Sequence, residues 1–436
     1  MSALADRLRG VIRPPAGGPE GAPLQPQSHD SAADVLDGEW RESRGHRYLV
    51  IDRTYSPGYR HGNLAMADVL PPVDGVWPRL SLLAGPAGQA ACAGRMLFLD
   101  LETTGLAGGA GTYAFLVGCA WFEPPSPEAS AGQVGGFRIR QFFLSSFAAE
   151  RVLLEAVAEI AAAAGTVVTY NGKSFDLPLI DTRFVMHRMD TPFAGMPHVD
   201  MLHPARRLWR DDVEEPGRRS FSEGGCRLSA LEETQCGHRR EGDVPGSEIP
   251  SRYFHFVRSG DARRLEAVME HNRLDLLALA LLTARASQLL EDGPATARTA
   301  WEALGIGRLY ERAGLHLQAS AAFERAVDIA DEDPMTRTDA LRAYAASCRR
   351  QRRYTDAAGA WRQLLDLPGC PPHVVREATE ALAVHHEHRL RDPRAAHTFA
   401  MRSLQFQASV TRRQSLEYRL ARLNRKLGEA ESAPLF

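Results

Sequence analysis

Met96-Leu97-Phe98-Leu99-Asp100-Leu101-Glu102-Thr103-Thr104-Gly105 is a compact apolar run that ends in two acids and a turn. Apolar residues without helical spacing, followed by Gly, predict a buried strand. Residues i and i+2 of a strand point to one face, so Asp100 and Glu102 stand side by side at its end. Two adjacent carboxylates repel unless a cation neutralises them, and Mg²⁺ or Mn²⁺ prefers such hard oxygen ligands. Outward from this run, Tyr113 to Phe122 and Phe137 to Leu144 read as two further strands. Ala148 to Ala164 follows as an amphipathic helix that Gly165 ends. Thr166 to Tyr170 is a β-branched strand, Ser174 to Arg188 a helix, and His198 to Leu202 a fifth strand followed by a helical Ala205 to Arg210. Three consecutive strands predict an antiparallel meander, and helical crossovers then add parallel strands. The expected product is α/β: a mixed five-stranded sheet flanked by helices.

Two more segments bring acids to that sheet. In Tyr170-Asn171-Gly172-Lys173-Ser174-Phe175-Asp176 a strand ends, a turn follows, and Asp176 opens a helix. An acid in a first helical turn is favoured by the helix dipole alone. Its spacing from Asn171 and Phe175 suggests more. In His271-Asn272-Arg273-Leu274-Asp275, on a long helix over Asp261 to Leu290, residues i and i+4 share one face. His271 and Asp275 can therefore address one site.

DLETTG, NGKSFD and HNRLD, in that order on this succession of strands, resemble the DEDD exonuclease superfamily in its His-containing form, which has an RNase H-like fold. More narrowly, the Gly108–Gly118 stretch GGAGTYAFLVG, the Asp200–Trp209 stretch DMLHPARRLW and Asp243-Val244-Pro245-Gly246 resemble the bacterial YprB-type RNase H-like proteins. The resemblance covers residues 95–290. It implies that Asp100, Glu102, Asp176 and Asp275 bind two divalent metal ions, Mg²⁺ or Mn²⁺, which in such sites sit about 3.5–4 Å apart around a phosphate. It implies that His271 is the general base, a role its ordinary pKa near neutrality suits. The implied reaction is 3′→5′ trimming of a nucleic acid, DNA or RNA, at a single-stranded 3′ end. Thr103, Asn171, Lys173, Phe175, Arg206 and Arg207 are candidates for substrate binding. For Phe175 a place in the core is the simpler expectation, and for Trp209 likewise. The glycine-rich apolar loop after DLETTG and the long insertion between Asp200 and His271 depart from the better-known proofreading enzymes, so their substrate preference does not carry over. A structure-specific endonuclease and a non-catalytic nucleic-acid-binding adaptor remain alternatives.

The 436 residues suggest two or three domains. A net charge of −2 does not mark a nucleic-acid binder, so any such binding must come from local patches. Lysine occurs only at Lys173 and Lys426 among many arginines, which makes Lys173 stand out. Residues 1–45 read as a disordered leader and 46–94 as an irregular extension. Beyond residue 295 the pattern is all helical. Gly307, Tyr310, Ala319, Phe323 and Ala326 fall at tetratricopeptide (TPR) offsets, with further copies at Ala357/Trp361 and Ala395/Phe399, spaced somewhat wider than the roughly 34 residues of a TPR unit. A TPR-like domain over 295–436 that recruits a protein partner is expected, with a plain helical bundle as the alternative. The six cysteines form no CxxC pair, and no long apolar stretch suggests a membrane, so a cytoplasmic location is expected. Cys226, Cys236 and His238 could hold zinc in principle, but their loose spacing favours ordinary thiols.

Overall fold

The computed structural model describes residues 31–72, 76–85, 92–105, 111–123, 135–210, 226–330, 334–406 and 410–431. The glycine-rich stretch at 106–110, the polar stretch at 211–225 and most of the expected leader lie outside them. The central strands are β5 (Met96–Thr103), β6 (Ala114–Phe122), β7 (Phe137–Phe143), β8 (Thr166–Thr169) and β9 (His198–Asp200). β5, β6 and β7 form the expected antiparallel meander, and β8 and β9 add on in parallel.

Among the described residues the sheet has seven strands, not five; with β1 (Glu39–Ser43) and β2 (His46–Tyr55) its order is β1-β2-β7-β6-β5-β8-β9. These two extra strands come from residues expected to be leader or irregular extension. β2 pairs with β7 over seven residues from Leu49 to Tyr55. Its Leu49 and Ile51 are buried, and Asp52 accepts hydrogen bonds from Arg138 and Arg140 of β7. An unpaired edge on β7 would expose backbone donors and acceptors, and this hairpin covers it. The preceding helix α1 (Ala32–Leu36) buries Ala32 and Leu36. A short hairpin, β3 (Arg60–His61) with β4 (Leu64–Ala65), and helix α2 (Leu80–Ala84) complete the N-terminal part.

Alternation along β5 explains both cores. Leu97, Leu99 and Leu101 enter a cluster with α3 (Glu150–Ala162), α4 (Asp176–Met186) and α7 (Ile249–Ser259). Met96 and Phe98 enter the opposite cluster with α8 (Glu266–Asp292), whose Leu276, Leu277, Leu279, Leu281 and Leu282 are all buried. A helix apolar on every side must be enclosed. One side of α8 meets the sheet, and beyond it the same core continues into α5 (Leu202–Leu208) and α9 (Ala300–Arg312). The short α6 (Leu228–Leu231) packs beside α8. α7 carries Pro250 in its first turn, where proline is tolerated.

The remaining helices are α10 (His316–Asp328), α11 (Pro334–Arg350), α12 (Tyr354–Asp366), α13 (Pro372–His385), α14 (Pro393–Leu404) and α15 (Val410–Glu431). Consecutive helices pack as hairpins. A Cβ on Gly307 would lie 2.4 Å from the Phe323 ring, so only glycine admits that ring between α9 and α10. The first hairpin shares the main core, whereas the later ones have small cores of their own. α15 is fastened by Glu387, which accepts hydrogen bonds from Arg419, Arg422 and Lys426. Among the described residues, no helix is long and apolar enough to cross a membrane.

Candidate active site

The face of β5 that carries Met96 and Phe98 changes character at Asp100 and Glu102. There a cavity of about 450 Å³ opens, lined by Asp100, Glu102, Thr103, Phe175, Asp176, His271 and Asp275 among others. One strand and two helices thus bring all five residues expected to be catalytic to one hollow, with Thr103 and Phe175 beside them. Asp176 reaches it from the first turn of α4, where its Oδ1 accepts a hydrogen bond from the Leu101 N–H at 3.2 Å. That bond ties the start of α4 to β5.

Asp100 is aimed by residues that the sequence did not single out. In register, Asp100 lies beside Gly118 on β6, and Gly118 beside Gln141 on β7. Asn272 of α8 sits over the glycine. A Cβ at residue 118 would come 2.4 Å from its Oδ1. Asn272 Nδ2 donates to Asp100 Oδ2 at 2.7 Å, and Gln141 Nε2 donates to Asn272 Oδ1 at 2.8 Å. Gln141 and Asn272 are both fully buried. A buried amide is costly unless bonded, so this chain fixes one orientation of the carboxylate. The signal was present in Asn272, between His271 and Asp275, but an asparagine on a helix carries no period that marks it.

The loop before Asp176 is built on Asp200. This buried carboxylate accepts from Asn171 N at 2.7 Å, Lys173 N at 3.0 Å and Leu202 N at 3.2 Å. Asn171 has φ of +65°, a left-handed conformation that asparagine tolerates. Asn171 and Lys173 therefore shape the loop through their backbone, and the Lys173 side chain is exposed. Phe175 is exposed at 58% on the cavity rim, not in the core as first expected. Trp209 is fully buried, its indole N–H donating to Glu302 at 2.9 Å. Arg206 and Arg207 lie on α5, outside the cavity lining.

His271 Nδ1 lies 2.6 Å from Asp243 Oδ1, and its Nε2 lies 3.6 Å from Asp275 and 3.9 Å from Glu102. With the proton on Nδ1 donated to Asp243, Nε2 faces the carboxylates as an acceptor. Asp243 belongs to the DVPG segment, which carried no assigned role. Arg240, nearly buried, contacts Asp275 at 2.6 Å, Asp243 at 3.3 Å and Glu232 at 2.5 Å.

The electrostatics are one-sided. Burial, then the charges of Asp275 and Asp176, push the Asp100 carboxyl well above its ordinary value. Burial, then Asp100 and Asp275, do the same to Glu102. Burial pushes Asp176 up to about 7, against the pull of its backbone hydrogen bonds. Burial works against a charged His271, but Asp275, Asp243 and Asp100 outweigh it and raise its pKa. Burial also disfavours a charged Asp243, yet His271 and Arg240 hold its carboxyl below the ordinary value. The oxygen-only donor set and the unmet demand for positive charge fit Mg²⁺ or Mn²⁺ at Asp100, Glu102, Asp176 and Asp275. The carboxylates are not drawn tightly together. Among the described residues, the trio of potential ligands whose atoms all lie within 4.8 Å of one another is His61, Glu232 and His238.

With this geometry in view, likeness to known proteins gains a physical meaning. Residues 97–287 match the RNase H superfamily. That span holds every residue of the cavity cluster and the helical turns that deliver acids to β5, and the mixed sheet fits an RNase H-like fold. Over 385 residues the chain is 28% identical to the uncharacterized protein YprB of Bacillus subtilis (strain 168), covering 87% of this chain and 86% of that protein. The likeness to YprB thus extends beyond the superfamily match, into the helical region. The superfamily points to nuclease chemistry and to nucleic acid as ligand.

Proposed function

We propose that the chain is a metal-dependent 3′→5′ exonuclease of the DEDD type with a catalytic histidine, acting on single-stranded nucleic acid. The observation that carries this reading is the convergence of Asp100, Glu102, Asp176, Asp275 and His271 on one cavity, with His271 held by Asp243 at 2.6 Å. Asp100, Glu102, Asp176 and Asp275 hold two divalent ions, Mg²⁺ or Mn²⁺. When bound, such ions lower the pKa of water and stabilise charge on the leaving 3′ oxygen. His271 receives a proton at Nε2, and Asp243 keeps that nitrogen facing the cavity. Asn272 and Gln141 hold Asp100 in place. Phe175, exposed on the rim, offers a stacking face to a terminal base, and Thr103 lines the same cavity. Lys173 and Arg206 present exposed cations for phosphates leading away from the cavity.

The test is incubation of the full chain with 5′-labelled single-stranded DNA and RNA, with Mn²⁺, with Mg²⁺ and with chelator, beside Asp100→Ala. A metal-dependent ladder receding from the 3′ end, absent in the variant, is expected. Internal cuts without a ladder would favour the endonuclease alternative. Intact but bound strands under every metal condition would favour a nucleic-acid-binding adaptor.

The later helices support a TPR-like docking surface for a protein partner. A cavity of about 670 Å³ among helices α11 to α15 is lined by Arg342, Arg349, Arg376, Arg389 and Arg412 against Glu377 and Glu380, a net positive lining that suits an acidic segment. Removing residues 331–436 keeps Trp301, Leu304 and Phe323 in the shared core and takes Ala340 from its edge. The truncated chain is expected to lose its protein contacts in a pull-down while keeping nuclease activity. Unchanged contacts would end the docking proposal.

A further inference from the structure

Among the described residues, one cluster of potential metal ligands lies outside the carboxylate cavity. His61 stands on β3, Glu232 opens a helical turn (Glu232–Cys236) that continues α6, and His238 follows that turn. Their ligand atoms all lie within 4.8 Å of one another. His61 and Glu232 are almost wholly buried, while His238 is half-buried and borders a surface cavity of about 430 Å³. Chain segments far apart in sequence are interlocked to make this meeting. Asn63 N donates to Cys236 O at 2.7 Å. A Cβ on Gly62 would lie 2.2 Å from that carbonyl, and one on Gly237 would lie 2.2 Å from Asn63. Both positions have positive φ, so glycine is needed for conformation and for space.

We propose that His61, Glu232 and His238 form a second metal centre, of the zinc class, separate from the carboxylate cavity. Two imidazoles and one carboxylate are the donor set of three-ligand zinc sites, in which a solvent molecule completes the tetrahedron. Imidazole nitrogen disfavours Mg²⁺, so the two centres differ in the ion they accept. His61 Nε2 lies 2.5 Å from Glu232 Oε1, a proton-sharing distance. A metal takes the place of that proton, and the two atoms part to about 3.3 Å, the edge of a tetrahedron with bonds near 2.0–2.1 Å. Arg240 grips the other oxygen, Oε2, at 2.5 Å, the outer hydrogen bond that orients a ligating carboxylate. One guanidinium is shared among Glu232, Asp243 and Asp275, so the neighbourhood has room for further positive charge. Through Glu232 and Arg240 the centre sets the position of Asp243 and Asp275. The Cys226–Cys236–His238 grouping weighed from sequence is not the one that forms, because His238 turns to His61, with ring centres 4.0 Å apart.

The test uses the full chain stripped with dipicolinate, then dialysed against Zn²⁺ and read by elemental analysis, with Co²⁺ as an optical probe. His238→Ala is the main variant because that side chain is partly exposed. His238→Cys restores a ligand, and Asp100→Asn with Glu102→Gln disables the carboxylate cavity. The expected result is about one more zinc per chain in the parent than in His238→Ala. His238→Cys and the double carboxylate variant should keep that zinc, and the parent should show tetrahedral Co²⁺ absorption that His238→Ala lacks. Equal zinc in parent and His238→Ala, or zinc lost only with the carboxylate variant, would overturn the proposal. Thermal melts of the stripped variants confirm that each is folded, and zinc is expected to raise the melting temperature of the parent more than that of His238→Ala.

Discussion

Arg240 stands between two charge clusters that are balanced in opposite ways. On one side Glu232 is fully buried yet satisfied, by Arg240 on one oxygen and His61 on the other. On the other side Asp100, Glu102, Asp176 and Asp275 share His271 and a part of Arg240, and three of them are held far above their ordinary pKa. The first arrangement holds together without an ion, and the proposed zinc would exchange for the proton that His61 and Glu232 share. The second costs stability until a cation arrives. A buried polar group kept at such a cost marks a site shaped by binding rather than by folding.

Removing one partner from each cluster should therefore have opposite effects. Asp100→Asn is expected to lower nuclease activity by about a thousandfold or more, the scale of losing electrostatic stabilisation at the reacting centre. In chelator the same variant should melt higher than the parent, because a repelling carboxylate is gone. A lower melting temperature would show that Asp100 is a structural partner of Asn272 and not part of a strained cluster. Glu232→Gln, also in chelator, should do the reverse for stability. It leaves Arg240 and His61 short of a buried anion, with an expected loss of about 3 kcal/mol in urea denaturation. A loss below about 1 kcal/mol would mean that solvent reaches that cluster.

The two clusters also differ in how much of them could be read from sequence. The carboxylates announce themselves by local spacing: i and i+2 on β5, i and i+4 on α8, and a turn-to-helix acid at Asp176. Each pattern lies within one element, so periodicity reveals it. The seven-strand sheet was only partly legible. β2 runs from the apolar Leu49-Val50-Ile51 into the polar Asp52-Arg53-Thr54 without alternating, and it pairs with β7 across a long stretch of chain. Nothing local says that an irregular-looking extension covers an edge. The His61–Glu232–His238 meeting depends on two interlocked turns more than 170 residues apart, and a buried Glu next to Thr234 and Gln235 looks like any solvated helix. Asn272 and Gln141 escaped for the same reason, since their roles arise only when Gly118 leaves a gap between them. Phe175 was misjudged because aromatic residues are usually buried, and only the Asp200-anchored loop turns it outward.

Weaker perturbations grade the comparison. Asn272→Ala removes the donor that aims Asp100 and leaves the carboxylate itself untouched. Activity should fall about 10- to 100-fold, the usual effect of losing an outer hydrogen bond to a metal ligand. The loss should appear in kcat and in the Mn²⁺ concentration needed, with the KM for nucleic acid little changed. An unchanged metal requirement would show that Asp100 is held by β5 alone.

The smallest effect, and the most direct report on charge, is the pH dependence of the chelated protein. Unfolded carboxyls lose their protons near pH 4, whereas Asp176 keeps its proton in the folded chain until about 7, with Asp100 and Glu102 raised in the same sense. Between those limits the folded state binds more protons than the unfolded one, so stability falls as pH rises. His271, raised as well, adds to the fall, because its contribution is lost as pH climbs through its folded pKa. Asp243, lowered, acts only below pH 4 and does not enter this window. The expected loss between about pH 5 and about pH 7.5 is on the order of 2 kcal/mol, read from urea denaturation in chelator. Saturating Mn²⁺ should reverse the slope, since the ion binds only deprotonated carboxylates and gains affinity as pH rises. A flat profile in chelator would mean that the four acids are hydrated and unstrained. The contrast with the Glu232 cluster would then disappear.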